Sequence, residues 1–549
     1  MRGSADLVAS GGPVWTGLAD EPDAEAVAIR AGQVVAVGEA AEISAWIGPG
    51  TRIVDLDGRL AVPGFIDAHV HPVQAGIDQL RCDLAQPPVE EQAYVDAVAA
   101  YARNRPGSWV LGGGWSMPAF AGGVPTRQAL DRAVADRPAY FPNRDRHVAW
   151  VNSRALELAG LDASTPDPPD GRIEREPDGS PSGMLHEGAM DLVGRLIPAP
   201  TRDEQVTALL IGQRQLHSVG VVGWQDAIVG DYAGSGDLWP AYVHAATSDL
   251  LTGRVTGALW WDRERGLEQI EELLERRQTG TAGRFRPLAV KIMADGVVEG
   301  WTAAMLDPYL DGDGRASQRI GESFVSAERL REAVVALDGH GFQLHVHAIG
   351  DRAVRDTLDA FEAARAAHGP SAGRHQIAHL QVVHPDDVGR FAALDVIANV
   401  QSLWACHEPQ MDDLTLPLLG AERGDWQYPF GALHRLGTRL ACGSDWPVSS
   451  PNPLLAIRVA VTRIEPGTDG PPLLPDQALS LATAMRAYTA GSAYATHDDD
   501  AGVLRAGARG DLVVLDRNVF AGSTAEQVDS LETARVDLTV VDGQVVHER

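Results

Sequence analysis

Pro63-Gly64-Phe65-Ile66-Asp67-Ala68-His69-Val70-His71-Pro72 decides the fold of this 549-residue chain. The apolar lead-in Leu60-Ala61-Val62 marks a short buried strand that stops at Pro72. His69 and His71 are two apart, and residues i and i+2 of a strand share a face. Both imidazoles therefore leave the strand's C-terminal end on one side. Two neutral imidazoles on one face are half of a metal site.

Downstream of this strand, apolar segments alternate with Ala-rich helical ones, the mark of a parallel α/β core. Including the first, the predicted strands end near His71, Asp226, Trp261, Ala294, His347, His379, Gln401 and Asp445. Eight is the count of a closed (β/α)8 TIM-type barrel, expected over residues 63–497. Helices are predicted at Ala327–Asp338, Ala353–Ala367 and Ala478–Ala490. Residues 75–205 are too long for one connection. They hold Gly112-Gly113-Gly114, a strand-like stretch from Pro138 to Val151 and turns at Thr165–Asp170 and Asp178-Gly179. This is an insertion after barrel strand 1, placed where it would lid the pocket. Residues 1–62 and 498–549 read as short strands split by glycine turns, with a hairpin at Ala31-Gly32. Neither end buries a core alone, so the two are expected to form one small β-sandwich domain.

Further candidate ligands sit at predicted strand ends: Lys291 on the fourth, His347 on the fifth, His379 on the sixth and Asp445 on the eighth. His345 shares strand parity with His347, and the place of His347 at the Gly350 turn selects it. With His69 and His71, this order resembles the ligand order of the amidohydrolase superfamily strand by strand. Longer motifs resemble its YtcJ-like branch (amidohydrolase family 3, which includes N-substituted formamide deformylases). They are Lys291–Gly296, His347-Ala348-Ile349-Gly350-Asp351-Arg352-Ala353, Gly443-Ser444-Asp445-Trp446-Pro447, His147–Ser153 and Gly183-Met184-Leu185-His186-Glu187. Two segments depart from the branch. Ala378 stands where a Glu is usual before the strand 6 His, and Val297-Val298-Glu299-Gly300-Trp301 stands where many members carry Ser-Leu-Gly-Ser-Arg.

The resemblance implies hydrolysis of a non-peptide C–N bond (amide, formamide or cyclic amide) by a metal-activated water. One or two divalent ions, zinc foremost, would be held by His69, His71, Lys291, His347, His379 and Asp445. Asp445 would move the proton, and His379 or His147 would polarise the carbonyl. Lys291 is a candidate for N6-carboxylysine, since nearby positive charge and burial both favour its neutral amine. An amidine or nucleobase-type deaminase is the rival enzyme, but relatives of that kind carry a Glu three residues after the strand 5 His. Here that position is Gly350, or Ala348 if counted from His345. A non-catalytic metal-binding regulatory protein on the same barrel is the rival outside enzymes.

The net charge of −29 argues against nucleic acid or an anionic membrane as partner. Cys82, Cys406 and Cys442 are far apart, odd in number and form no CxxC, which fits reduced thiols in a cytoplasm. Met1 to Gly12 carries one Arg and no long apolar run, so no signal peptide is expected. No stretch reaches the roughly 18 apolar residues of a membrane span. The expected partner is a small amide-type molecule, and the chain is compatible with a homodimer. Tryptophans at predicted strand ends and in the insertion suit an apolar or aryl substrate. Trp224, Trp301, Trp446 and Trp115 are the candidates for its pocket wall.

Overall fold

Eight parallel strands carry the site. They are β1 (Phe65–Val70), β2 (Val221–Val229), β3 (Arg254–Trp260), β4 (Phe285–Met293), β5 (Gln343–Ala348), β6 (Gln376–His379), β7 (Ile397–Val400) and β8 (Leu440–Cys442). The computed structural model describes residues 3–232 and 236–549. Each strand pairs in parallel with the next in chain order. The seam between β8 and β1 is closed beyond the last ladder residue. The Asp445 N–H donates to the His69 carbonyl at 2.7 Å, and the His71 N–H donates to the Trp446 carbonyl at 2.9 Å. Gly443 makes this approach possible: a Cβ there would collide with the backbone and Cβ of His69. The molecule is a TIM-type barrel with a terminal β-sandwich and an insertion after its first strand.

The barrel interior is floored by a chain of side-chain amides. Gln401 Nε2 donates to Asn399 Oδ1, Asn399 Nδ2 to Gln376 Oε1, Gln376 Nε2 to Gln225 Oε1, and Gln225 Nε2 to Gln343 Oε1. All five are buried, so the chain satisfies polar groups that would otherwise be costly.

Strands from both ends of the chain share one sheet. Leu512–Leu515 runs antiparallel to Leu60–Pro63, and Val536–Val541 and Gln544–Glu548 continue beyond it. Leu7–Val14 pairs with Arg52–Asp55 through its first half and with Ala61 at Val14, across an irregularity between Ser10 and Val14. Leu7, Val27 and Ile29 from the N-terminal strands bury one core with Leu512, Val514 and Leu538. Arg254, at the start of β3, ties this unit to the barrel. It ion-pairs with Asp498 at 2.6 Å, with Asp542 at 3.3 Å and with Asp511.

The inserted region builds a six-stranded sheet in the order Gly171–Arg175, Pro181–Glu187, Val148–Val151, Ala139–Pro142, Val110–Gly113, Cys82–Asp83. The stretch Pro138–Val151 is two antiparallel strands. They are split by a hairpin at 143–147, where Arg146 takes a left-handed φ of 67°. The predicted helix Ala478–Ala490 is also broken: it is regular over Leu481–Arg486 and widens to a π turn over Ala487–Gly491. There the Ser492 hydroxyl is within bonding distance of the carbonyls of Ala487 (2.8 Å) and Cys442 (3.0 Å), which stabilises the wider turn. Among the described residues no helix is long and apolar enough to cross a membrane.

Removing one partner from a buried charge cluster costs about 3–5 kcal/mol, because the others are left unpaired. Arg254→Ala strands Asp511, while Asp498 keeps Arg509 and Asp542 keeps Arg284, and is expected to lose up to about that much stability in urea unfolding while native circular dichroism is kept in water. An unchanged midpoint would show that the tie is dispensable.

Candidate metal centre

The strands of the barrel end in backbone turns that throw polar side chains across its mouth. His379 closes β6 with a φ of 79°, and Asp445 follows β8 with a φ of 55°. Left-handed backbone at non-glycine residues costs about 1–3 kcal/mol each and persists where the surroundings enforce it. The result is a tight buried cluster. The donor atoms of His69, His379 and Asp445 lie within 4.8 Å of one another. Asp445 Oδ1 is 3.3 Å from His69 Nε2 and 3.0 Å from His71 Nε2. The His347 ring is 4.4 Å from that of His379. Lys291 lines the same cavity of about 40 Å³.

Burial sets the protonation states. It is the largest influence on His69, His345, His347 and His379, and with positive neighbours it drives all four well below the usual histidine range. Burial likewise pushes the Lys291 amine down to about 7, with Asp445 acting the other way. At Asp445 burial opposes ionisation. The His71 hydrogen bond and the electrostatic influence of His379, His71 and Lys291 outweigh it and hold the carboxyl below its ordinary value. Neutral imidazoles around an ionised carboxylate are the states a cation requires. His71 Nδ1 and His379 Nδ1 are buried without a hydrogen-bond partner among the described residues. The donor set of imidazoles and a carboxylate therefore fits a divalent ion such as zinc.

Residues 52–547 match the amidohydrolase family. The chain belongs to that family. It is 32% identical over 526 residues to the protein LONG AFTER FAR-RED 3 of Arabidopsis thaliana, covering 94% of this chain and 88% of that one. It is 28% identical over 564 residues to the N-substituted formamide deformylase of Arthrobacter pascens, covering 100% and 99%. An uncharacterized metal-dependent hydrolase from Pyrococcus furiosus superposes with a TM-score of 0.70 at 25% identity, over 93% of this chain and 99% of that one.

The insertion adds a second charged pair to the family's barrel mouth. His147, in the hairpin at 143–147, lines the metal cavity with its ring 5.4 Å from that of His347. Its Nδ1 lies 2.9 and 3.0 Å from the two oxygens of Glu187. Burial works against an imidazolium there, but Glu187 outweighs it and raises His147 to about 9. Thr302 Oγ donates to Glu187 Oε1 at 2.8 Å, and Gly296 leaves room for that carboxylate, since a Cβ there would strike it. The sequence contains Glu187 in a quoted motif without disclosing a role for it.

Other residues support the ligands, His345 in the place below the metal site that its strand parity with His347 left for it. His345 Nε2 is 2.8 Å from His69 Nδ1 and orients that ring from below. Asp67 Oδ1 accepts the N–H groups of His69 and Ser444. Asp295 accepts the N–H groups of Ile349, Gly350 and Ala304 and lies 3.5 Å from His347 Nε2. Of the four candidate tryptophans, Trp446 lines an open cleft of about 920 Å³ beside the centre. Trp224 lies instead in the packing between barrel and helices, where Gly253 abuts its ring. Trp115 is in the core of the insertion against Phe120 and Trp150. Trp301 stands beside Tyr309 under the Arg319 guanidinium, away from the cavity wall. Trp404 lines both cleft and cavity, and it stacks on His379 at 5.3 Å and 10°.

Because the folded value of His147 lies above the ordinary 6.5, its pairing with Glu187 stabilises fully below that value and is lost as pH rises through about 9. Carbon-13 histidine NMR is expected to show His147 titrating near 9 and to show Glu187→Gln moving it down toward 6.5 or below. A titration unaffected by Glu187→Gln would dissolve the pair.

Proposed function

We propose that the chain is a metal-dependent hydrolase that cleaves a non-peptide C–N bond of an amide, formamide or cyclic amide bearing an apolar or aryl group. The observation that carries this is the placement of opposite tools on the two sides of one cavity. The ionised Asp445 bridges His69 and His71 on the barrel side, and the His147 imidazolium on Glu187 faces them from the insertion. A zinc ion held by His69, His71, His379 and Asp445 would supply Lewis acidity and an acidified water. Asp445 accepts the water's proton and passes it to the leaving nitrogen. His147 Nε2–H donates to the carbonyl oxygen as negative charge develops on it, with Glu187 holding the imidazolium in place. The aromatic faces of Trp404 and Trp446 along the cleft support an aryl or bulky apolar substrate. The formamide chemistry in the name of the Arthrobacter pascens relative is consistent with this bond type.

Lys291 enters as the neutral amine that burial favours. Its lone pair can attack the carbon of CO₂, forming an N–C bond and releasing one proton, to give an anionic carbamate. Such a carbamate would offer two oxygens to a pair of divalent ions, the first held by His69, His71 and Asp445 and the second by His347 and by His379, which a one-ion site would use for its single zinc.

Asp445→Asn is expected to keep the fold and to cut hydrolysis of an N-benzylformamide-type substrate by about 10²–10⁴-fold, since an amide cannot accept the proton. A rate within about tenfold of wild type would remove the proton-transfer role. Lys291→Ala is expected to lower the metal:protein ratio by elemental analysis, and added acetate to restore part of both metal and activity. Full metal content in Lys291→Ala would exclude the carbamate.

A further inference from the structure

The segment Val297-Val298-Glu299-Gly300-Trp301 after β4 takes no part in the chemistry above. Glu299 lines a small space next to the metal cavity, together with Arg144, Asp145, Trp404, Glu408 and Tyr428. Asp145, Trp404 and Val448 line both spaces, so the two adjoin across these three side chains.

The charges around this space do not balance. Arg144 is the one cation in its wall among the described residues, and it is already committed. Its Nη2 lies 3.3 Å from each Glu408 oxygen and 3.1 Å from Gln410 Oε1. Gln410 Nε2 donates in turn to Glu299 Oε1. Asp145 Oδ1 accepts the His147 N–H at 3.0 Å. Asp145 Oδ2 is buried and has no hydrogen-bond partner among the described residues, on a side chain only 9% exposed. Four carboxylates (Asp145, Glu299, Glu408 and Glu187) thus share two cations, Arg144 and the His147 imidazolium, and this excess of negative charge is costly unless a ligand completes it. Burial, and after it Asp145, pushes the Glu299 carboxyl up to about 7.

We infer that Asp145 and Glu299 form a subsite for a protonated primary amine carried by the substrate away from the scissile bond. This rests on the hydrolase reading above and specifies its substrate class. Three ammonium N–H groups match the free Asp145 oxygen, the Glu299 carboxylate and the flat face of Trp404. Size selects a primary ammonium over a quaternary or guanidinium group. The space measures about 30 Å³, and a single water needs ~10–15 Å³, so it admits one CH₂–NH₃⁺ end and little more.

The test uses the metal-loaded full chain at pH 8 and two matched pairs of probes. Calorimetry compares benzylammonium with benzyl alcohol, and kcat/KM compares 4-(aminomethyl)benzylformamide with N-benzylformamide. The cationic member is expected to be favoured by about tenfold or more in each pair, the scale of a hydrogen bond to a charged group. The ratio should fall toward one in Glu299→Gln and in Asp145→Asn, each first checked for native circular dichroism. Equal affinity in wild type, or a ratio unchanged in a folded variant, overturns the subsite. If neither formamide is hydrolysed but benzylammonium is still preferred and the variants abolish that preference, the C–N bond assignment falls and the subsite stands.

Discussion

The Asp445 carboxylate, seated at the seam where the last barrel strand meets the first, is the interaction on which the site depends. Its backbone N–H closes the barrel on His69, and its side chain lies between His69 and His71. One residue therefore joins the two ends of the barrel and sets the charge of the cavity. The left-handed turn that makes this possible is unfavourable alone and is held by Gly443 beneath it and the Trp446 carbonyl beyond.

The insertion supplies what the barrel lacks. The barrel's own histidines are driven neutral by burial and by one another. In the cavity an imidazolium is favoured at His147, where a carboxylate from the adjacent strand of the same small sheet meets it. Imidazolium and carboxylate are thus kept on separate bodies of structure, each with its own hydrogen-bonded support.

Much of the fold was legible because the barrel strands are short apolar runs that end in polar residues, and strand parity fixes which side chains share a face. Strand ends place His69, His71, Lys291, His347, His379 and Asp445 at one mouth, and it was the resemblance to the family's ligand order that singled them out. The tryptophans were less legible. Proximity to a strand end says nothing about which way an indole turns, and Trp224 and Trp115 turn into apolar packing while Trp404 turns onto His379. Glu187 and Asp295 were hidden because their partners are distant in the chain and no periodicity links them. The break in the strand-like stretch at 143–147 was invisible because it depends on a left-handed Arg146, a residue type that does not announce such backbone.

The amide chain beneath the site is closed to protons along its own length. It begins at the His379 N–H, which donates to Gln401 Oε1, and it ends where Gln343 Nε2 meets the carbonyls of Arg374 and Ala495. Every link runs in the same direction, and side-chain amides neither gain nor lose a proton near neutrality. A proton cannot hop down such a column as it would along carboxylates or water. The amide column is an insulator beneath His379, so a proton at that residue has no route along it.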